Sequence, residues 1–261
     1  MGSLRVARRS PLKEPPLHNP GQSADRQVRD LIAEKVVLWI VMAVFGIVVA
    51  LYEWVRWLAK TPPLPVAMTL MAAGVCGLAW WKVRKAIPVI RQYAKGRDGE
   101  IAVGQFLEDL RRDGYHVFHD IPSESGNVDH VLIGPGGIFV IETKTNSKPV
   151  GRESKVVYDG QAVTVDGHAP DRDPVAQVRA ASGQIDNIMR RVLGRSLPLR
   201  PVLLYVRWFT QQPKGSDIWV LNEDSLAKWL RKAYTKLDAD EARQAAAALE
   251  MYVRNYDRPR D

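Results

Sequence analysis

Glu142 and Lys144 are separated by one residue in the run Ile138-Phe139-Val140-Ile141-Glu142-Thr143-Lys144, whose β-branched and aromatic character predicts a strand. The strand period of two puts Glu142 and Lys144 on one face. A second strand-like run, Val128 to Ile133, lies just upstream across Gly134-Pro135-Gly136-Gly137, which has Pro and Gly where a type II turn wants them. If this hairpin pairs Ile133 with Ile138, Asp129 falls directly across from Glu142. Opposed residues share a face with Cβ atoms about 4.5–5.5 Å apart, and two like charges there repel unless a cation or a proton intervenes. Carboxylate oxygens from Asp129 and Glu142, with waters and the Thr143 carbonyl as a further candidate, suit Mg²⁺ or Mn²⁺. Such a metal activates water and stabilises phosphate charge, and Lys144 would orient the water or neutralise developing charge, so the grouping fits phosphodiester hydrolysis. The same residues also fit an exposed strand carrying a Glu142–Lys144 ion pair beside an unrelated Asp129.

The elements around this hairpin read as α, β, α, β. Asp98 to Arg112 carries Ile101, Phe106, Leu107 and Leu110 at helical spacing and stops at Gly114. Tyr115 to Ile121 is a first strand; Lys155 to Tyr158 and Ala162 to Val165 flank Asp159-Gly160-Gln161 as a second hairpin. Asp173-Pro174 supplies an N-cap and an N1 proline for a helix to about Leu193. Strands follow at Pro201 to Trp208 and Ile218 to Val220, then helices at Ser225 to Tyr234 and Asp238 to Tyr252. His130 should point away from Asp129 as a satisfied structural histidine. His116 and His119 face opposite sides, and His18 and His168 are expected to be exposed. Asn127 shares the Asp129 face and could orient it or a water, while Lys148, Arg152 and Lys155 could meet phosphates or cover a solvated hairpin.

Residues 97 to 210 resemble the NERD, or nuclease-related, domain, which is grouped with the PD-(D/E)xK restriction-endonuclease-like fold. The matching pieces are Gly99-Glu100, Asn127-Val128-Asp129-His130, the run from Gly134 to Lys144, and Asp173-Pro174 followed by Gln177. The resemblance implies an α/β fold with a mixed sheet flanked by helices. It also implies metal held by Asp129 and Glu142, and assistance to the nucleophile from Lys144. Glu100 and Gln177 resemble further site residues of the family. A Glu in a first helical turn is also what the helix dipole favours, and Gln177 lies at the edge of an apolar stripe, so both have plainer readings.

The chain has 261 residues and a formal charge of +8, with 46% hydrophobic and 25% charged residues, which excludes a disordered chain as the main reading. A single cysteine, Cys76, excludes an internal disulfide or a Cys-based zinc site. The positive charge belongs to the first third: residues 98 to 261 hold 22 bases and 24 acids, so basicity is no evidence that this part binds nucleic acid.

Val36 to Tyr52 is uncharged and about 25 Å long as a helix, slightly short of a bilayer core unless Glu53 or Arg56 snorkels. Thr61 to Trp81 is a second uncharged run, and Trp54, Trp57, Trp80 and Trp81 mark the ends. The expectation is two transmembrane helices preceded by a flexible basic tail (1–35), helical from Ala24, and followed by a basic linker (82–96), the NERD domain and a C-terminal helical extension (211–261). The competing reading is a buried helical hairpin in a soluble protein. Lys and Arg on both flanks place both termini in the cytoplasm of an inner or plasma membrane protein. Gly74 and Gly77 would help the spans pack and form a homo-oligomer. The partners expected are therefore nucleic acid, DNA or RNA, and the lipid bilayer. The alternative to a nuclease is a non-catalytic membrane-tethered module that binds nucleic acid or protein.

Overall fold

The β2–β3 hairpin positions everything that follows. In the computed structural model, which describes residues 17–60, 64–123, 126–145, 154–233 and 236–256, β2 (Val128–Gly134) pairs antiparallel with β3 (Gly137–Lys144), and Ile133 meets Ile138 as expected. The left-handed residue of the turn is Gly137 (φ 115°) and not Gly136, so the turn is not type II. A Cβ on Gly137 would lie 2.8 Å from the Pro198 carbonyl oxygen, so backbone angle and space both demand glycine there.

β1 (His116–Ile121) adds antiparallel to β2, while β6 (Leu199–Tyr205) and β8 (Trp219–Leu221) add parallel beyond β3, giving the order β1-β2-β3-β6-β8. The parallel step from β3 to β6 needs a crossover, and it contains β4 (Lys155–Tyr158), β5 (Val163–Val165) and α4 (Pro174–Leu193). α4 starts as its sequence dictates: the Asp173 carboxylate accepts from the amides of Val175 and Ala176, and Pro174 stands at the first helical position. β4 pairs with β5 and with β7 (Phe209–Gln211), a strand absent from the sequence reading, in a small second sheet.

Each face of the large sheet is buried. Val131, Ile133, Ile138 and Val140 pack with Ile185 and Ile188 of α4 and Ala245 and Leu249 of α6 (Ala239–Tyr256). Leu132, Phe139, Ile141 and Leu204 pack on the other side with Val103 and Leu107 of α3 (Pro65–Asp109) and Leu226 and Leu230 of α5 (Glu223–Lys232). The 211–261 segment is thus no extension: β8 is an edge strand of the main sheet and α6 closes one core.

Residues Gln22–Asp98 form one compact unit, and the described parts of Met1–Gly21 and Gly99–Asp261 form the other. Within the first, α1 (Gln22–Ile32) is followed by a π-helical turn (Ala33–Val37), α2 (Leu38–Leu58) and the start of α3. The expected linker at 82–96 is helical throughout. Its Lys, Arg, Ala and Gln residues are good helix formers, and Pro88 is accommodated inside the helix. The expected flexible tail is ordered from Leu17: Leu17 packs on the core and α1 is a helix, residues 1–16 lying outside the described residues.

Two helical stretches, Gln22–Leu58 and Pro65–Asp113, are long and apolar enough to cross a membrane, with 17% and 11% of their apolar windows buried. Such exposure is the reverse of a buried core hairpin. Gly46, not Gly74 or Gly77, sits at the close approach of α2 and α3, 3.6 Å from the Ala72 Cα for an added Cβ. Glu53 does not reach outward; it is buried, accepting from Arg56 and from the Leu64 amide at 3.1 Å.

Gly137→Ala is expected to destabilise the protein by about 1–3 kcal/mol. Gly183→Ala, in α4 with open space around its added Cβ, should be neutral or stabilising by up to about 1 kcal/mol. Denaturant midpoints of the two variants check the contrast.

Candidate active site

Continuing the observed hairpin register opposes Asp129 to Glu142. Ladder pairing stops one residue short of them, and the Thr143 amide is taken instead by Asp129 Oδ2 at 2.7 Å. This bond fixes the Asp129 carboxylate beside the end of β3. Glu142 and Lys144 project from the face on which α4 packs, since they share the parity of Ile138 and Val140. Lys144 Nζ donates to Glu142 Oε1 at 2.7 Å and to Gln177 Oε1, on the first turn of α4, at 2.6 Å. Gln177 therefore turns into the site and not to solvent. Tyr205, paired with Lys144 across the parallel ladder, is buried beside them, and burial followed by the Glu142 charge pushes its phenol up.

Glu100 comes from α3 on the far side of the hairpin. Its neighbour Gly99 makes the approach possible: an added Cβ would lie 1.7 Å from Thr145 Cγ2 and 2.9 Å from Thr145 Cβ. Glu100 is held up to about 7, first by burial, then by the charges of Asp120 and Glu142, against the opposing pull of Lys144. Asp129 is half-buried, with Oδ2 turned to the Thr143 amide. It is pushed well above the usual carboxylate range by burial, then by Glu142 and Glu100, while the Thr143 amide and Lys144 pull the other way. Three acids thus feel one another across a space holding one ammonium. Among the described residues no group of three or more His, Cys, Asp or Glu converges tightly enough to cage a metal by itself. The mutual repulsion places the acids near one another; it does not make them a complete ligand set.

The model of one family, the nuclease-related domain NERD, matches residues 95–206. These residues are a NERD domain. No curated protein and no solved structure matches the chain. The family is nuclease-related and its fold restriction-endonuclease-like, in agreement with the mixed five-stranded sheet between helices. Glu100, Asp129, Glu142, Lys144 and Gln177 all fall inside the match.

Sequence reading passed over one acid beside this cluster, Asp120, whose charge helps to raise Glu100. Asp120 is 4% exposed, has a left-handed backbone (φ 52°), and by register stands opposite Asp129 on β1. Asn127 donates to Asp120 Oδ1 at 2.8 Å, so Asn127 orients this acid and not Asp129. His18 is not exposed: it is buried, with Nδ1 2.6 Å from the Asp120 carbonyl oxygen. The signal for Asp120 was an acid one place before Ile121, the strand's last residue and the pairing partner of Val128, too common a feature to single it out. His130 does turn away from Asp129, with Nδ1 2.8 Å from His119 Nδ1, but its fully buried Nε2 has no partner, so it is only half satisfied. Burial lowers both histidines, and His119 also meets Glu108 at 2.8 Å. His168 is exposed as expected, and Lys148 and Arg152 lie outside the described residues.

An acid whose folded pKa is raised stabilises the fold fully below its unfolded value near 4.5, and that contribution is lost as pH rises through about 7. In EDTA, Glu100→Gln should therefore gain stability over wild type as pH increases from 5 to 8, by on the order of 1–3 kcal/mol. The lowered histidines act in the opposite direction, gaining as pH rises, but they are common to both proteins and cancel in the difference. Denaturant unfolding of the pair across this range is the measurement.

Proposed function

We propose that the chain is a membrane-anchored nuclease that hydrolyses phosphodiester bonds in nucleic acid with Mg²⁺ or Mn²⁺. The observation that carries this reading is the crowding of Asp129, Glu142 and Glu100 around Lys144, an excess of negative charge that a divalent cation would relieve. The donor set suits the ion: Mg²⁺ is commonly held by one or two carboxylates and completes its shell with water, so Asp129 and Glu142 suffice without a full cage. When bound, the metal would supply Lewis acidity toward the phosphate and a water of lowered pKa. Asp129, anchored by the Thr143 amide, and Glu142 would hold it.

The remaining work falls to the chain's own groups. Lys144, fixed between Glu142 and Gln177, places a positive charge where negative charge develops on the phosphate oxygens. Gln177 holds that ammonium in place without competing for its charge. Glu100, near 7, is suited to take a proton from water at neutral pH. The two apolar helical stretches would anchor the domain as a two-span hairpin with both ends on the cytoplasmic side, in accord with the bases at Lys82, Arg84 and Lys85.

The full chain, purified in detergent, is expected to cleave plasmid, linear DNA or RNA with Mg²⁺ or Mn²⁺ and to stop in EDTA. Glu142→Ala and Lys144→Ala should each lower the rate at least about 100-fold while leaving circular dichroism unchanged. Wild-type turnover in both variants would overturn the site. Salt-dependent nucleic-acid binding with no cleavage under any metal would replace the enzyme with a tethered binding module.

A further inference from the structure

A second concave site lies at the opposite end of β3. Glu142 and Lys144 occupy the C-terminal end of the strand. Gly136 and Phe139, at its start, line a cavity of about 480 Å³, within the range of small-molecule sites. Phe139 and Lys144 are separated by about 17 Å of extended strand, and Phe139 packs on the sheet face opposite to that of Glu142. The cavity is therefore separate from the carboxylate cluster.

Its lining joins aromatic rings to cations. Phe139 and Trp219 have centroids 5.3 Å apart, and Trp229 meets Trp219 edge-on at 5.0 Å. The Arg200 guanidinium lies over the Trp219 ring at 5.5 Å and is held there by donating to the carbonyls of Ser216 and Asp217. Trp219 is thus occupied, while Trp229 keeps 37% of its surface exposed at the rim. Lys232, in the last turn of α5, and Lys236, beyond that helix, complete a set of three cations. Among the described residues, no acid lines the cavity. A lysine at a helix C-terminus is ordinary, but cations from β6, α5 and the segment after α5 converge here on one aromatic floor. A flat apolar wall beside unopposed positive charge complements a ligand with an aromatic ring at one end and an anion at the other.

We propose that this cavity binds a purine nucleoside monophosphate, its base stacked on Trp229 and its phosphate met by Arg200, Lys232 and Lys236. The site is independent of the hydrolytic reading, because it shares no residue with the carboxylate cluster. Isothermal titration of the full chain in detergent and EDTA, with adenosine or guanosine 5′-monophosphate, should give saturable binding of one nucleotide per chain. Adenosine and inorganic phosphate, each half of the ligand, should bind at least about tenfold more weakly than the intact nucleotide. Trp229→Ala and the surface pair Lys232→Gln with Lys236→Gln should each weaken the nucleotide at least about tenfold, and Glu142→Ala should leave its binding unaltered. The lysine pair keeps the test decisive should Trp229→Ala fail to fold. The proposal is overturned by absence of saturable binding, by phosphate binding as tightly as the nucleotide, by binding that survives the lysine variant, or by binding lost in Glu142→Ala.

Discussion

Like-charge repulsion inside a buried sheet is the constraint around which the folded domain is arranged. Asp129 and Glu142 oppose each other at the end of a hairpin whose remaining inward positions are apolar, and Glu100 is brought toward them from a third element. Nothing in packing alone favours that arrangement, since each acid raises the proton affinity of the next. The surrounding structure offsets it piecemeal. A backbone amide is withdrawn from the ladder to hold Asp129, an ammonium is fixed between Glu142 and Gln177, and a glycine removes the side chain that would keep Glu100 away.

How much of this could be read from residues alone follows the physics of each element. The hairpin was legible because strand parity and a short turn leave few registers, so pairing Ile133 with Ile138 fixed the Asp129–Glu142 opposition. The start of α4 was legible from its Asp-Pro cap. The turn conformation was not, because four residues with three glycines permit the left-handed angle at more than one place. Glu100 and Gln177 were reachable only through family resemblance: what brings them in is helix packing across long sequence separations, which periodicity does not encode. Asp120 escaped notice because its backbone leaves ordinary strand angles, and parity arguments fail there. The roles of β8 and α6 in the main sheet and core were hidden for a related reason, since a three-residue edge strand and an alanine-rich helix carry weak local signals.

Charge and burial divide labour differently at the two ends of β3. At the carboxylate end, acids outnumber the cation and the groups are partly enclosed; at the cavity end, three cations face aromatic rings and, among the described residues, no acid lines the space. The sheet insulates one from the other, because the strand between them contributes the fully buried Val140 and Ile141 to opposite cores.

The residues just ahead of α1 add a topological consequence. Leu17 packs on the same core as α4 and α6, His18 reaches the Asp120 carbonyl, and Pro20 fills the space that Gly104 leaves empty. The chain thus contributes to this domain, leaves it for the two apolar stretches, and returns at Gly99. A segment whose two flanks both belong to one folded body could traverse a bilayer only an even number of times, so a crossing by the first stretch would require a return by the second. A soluble fragment cut at the start of the NERD match would lose Leu17, His18 and Pro20, leaving a gap beside Asp120.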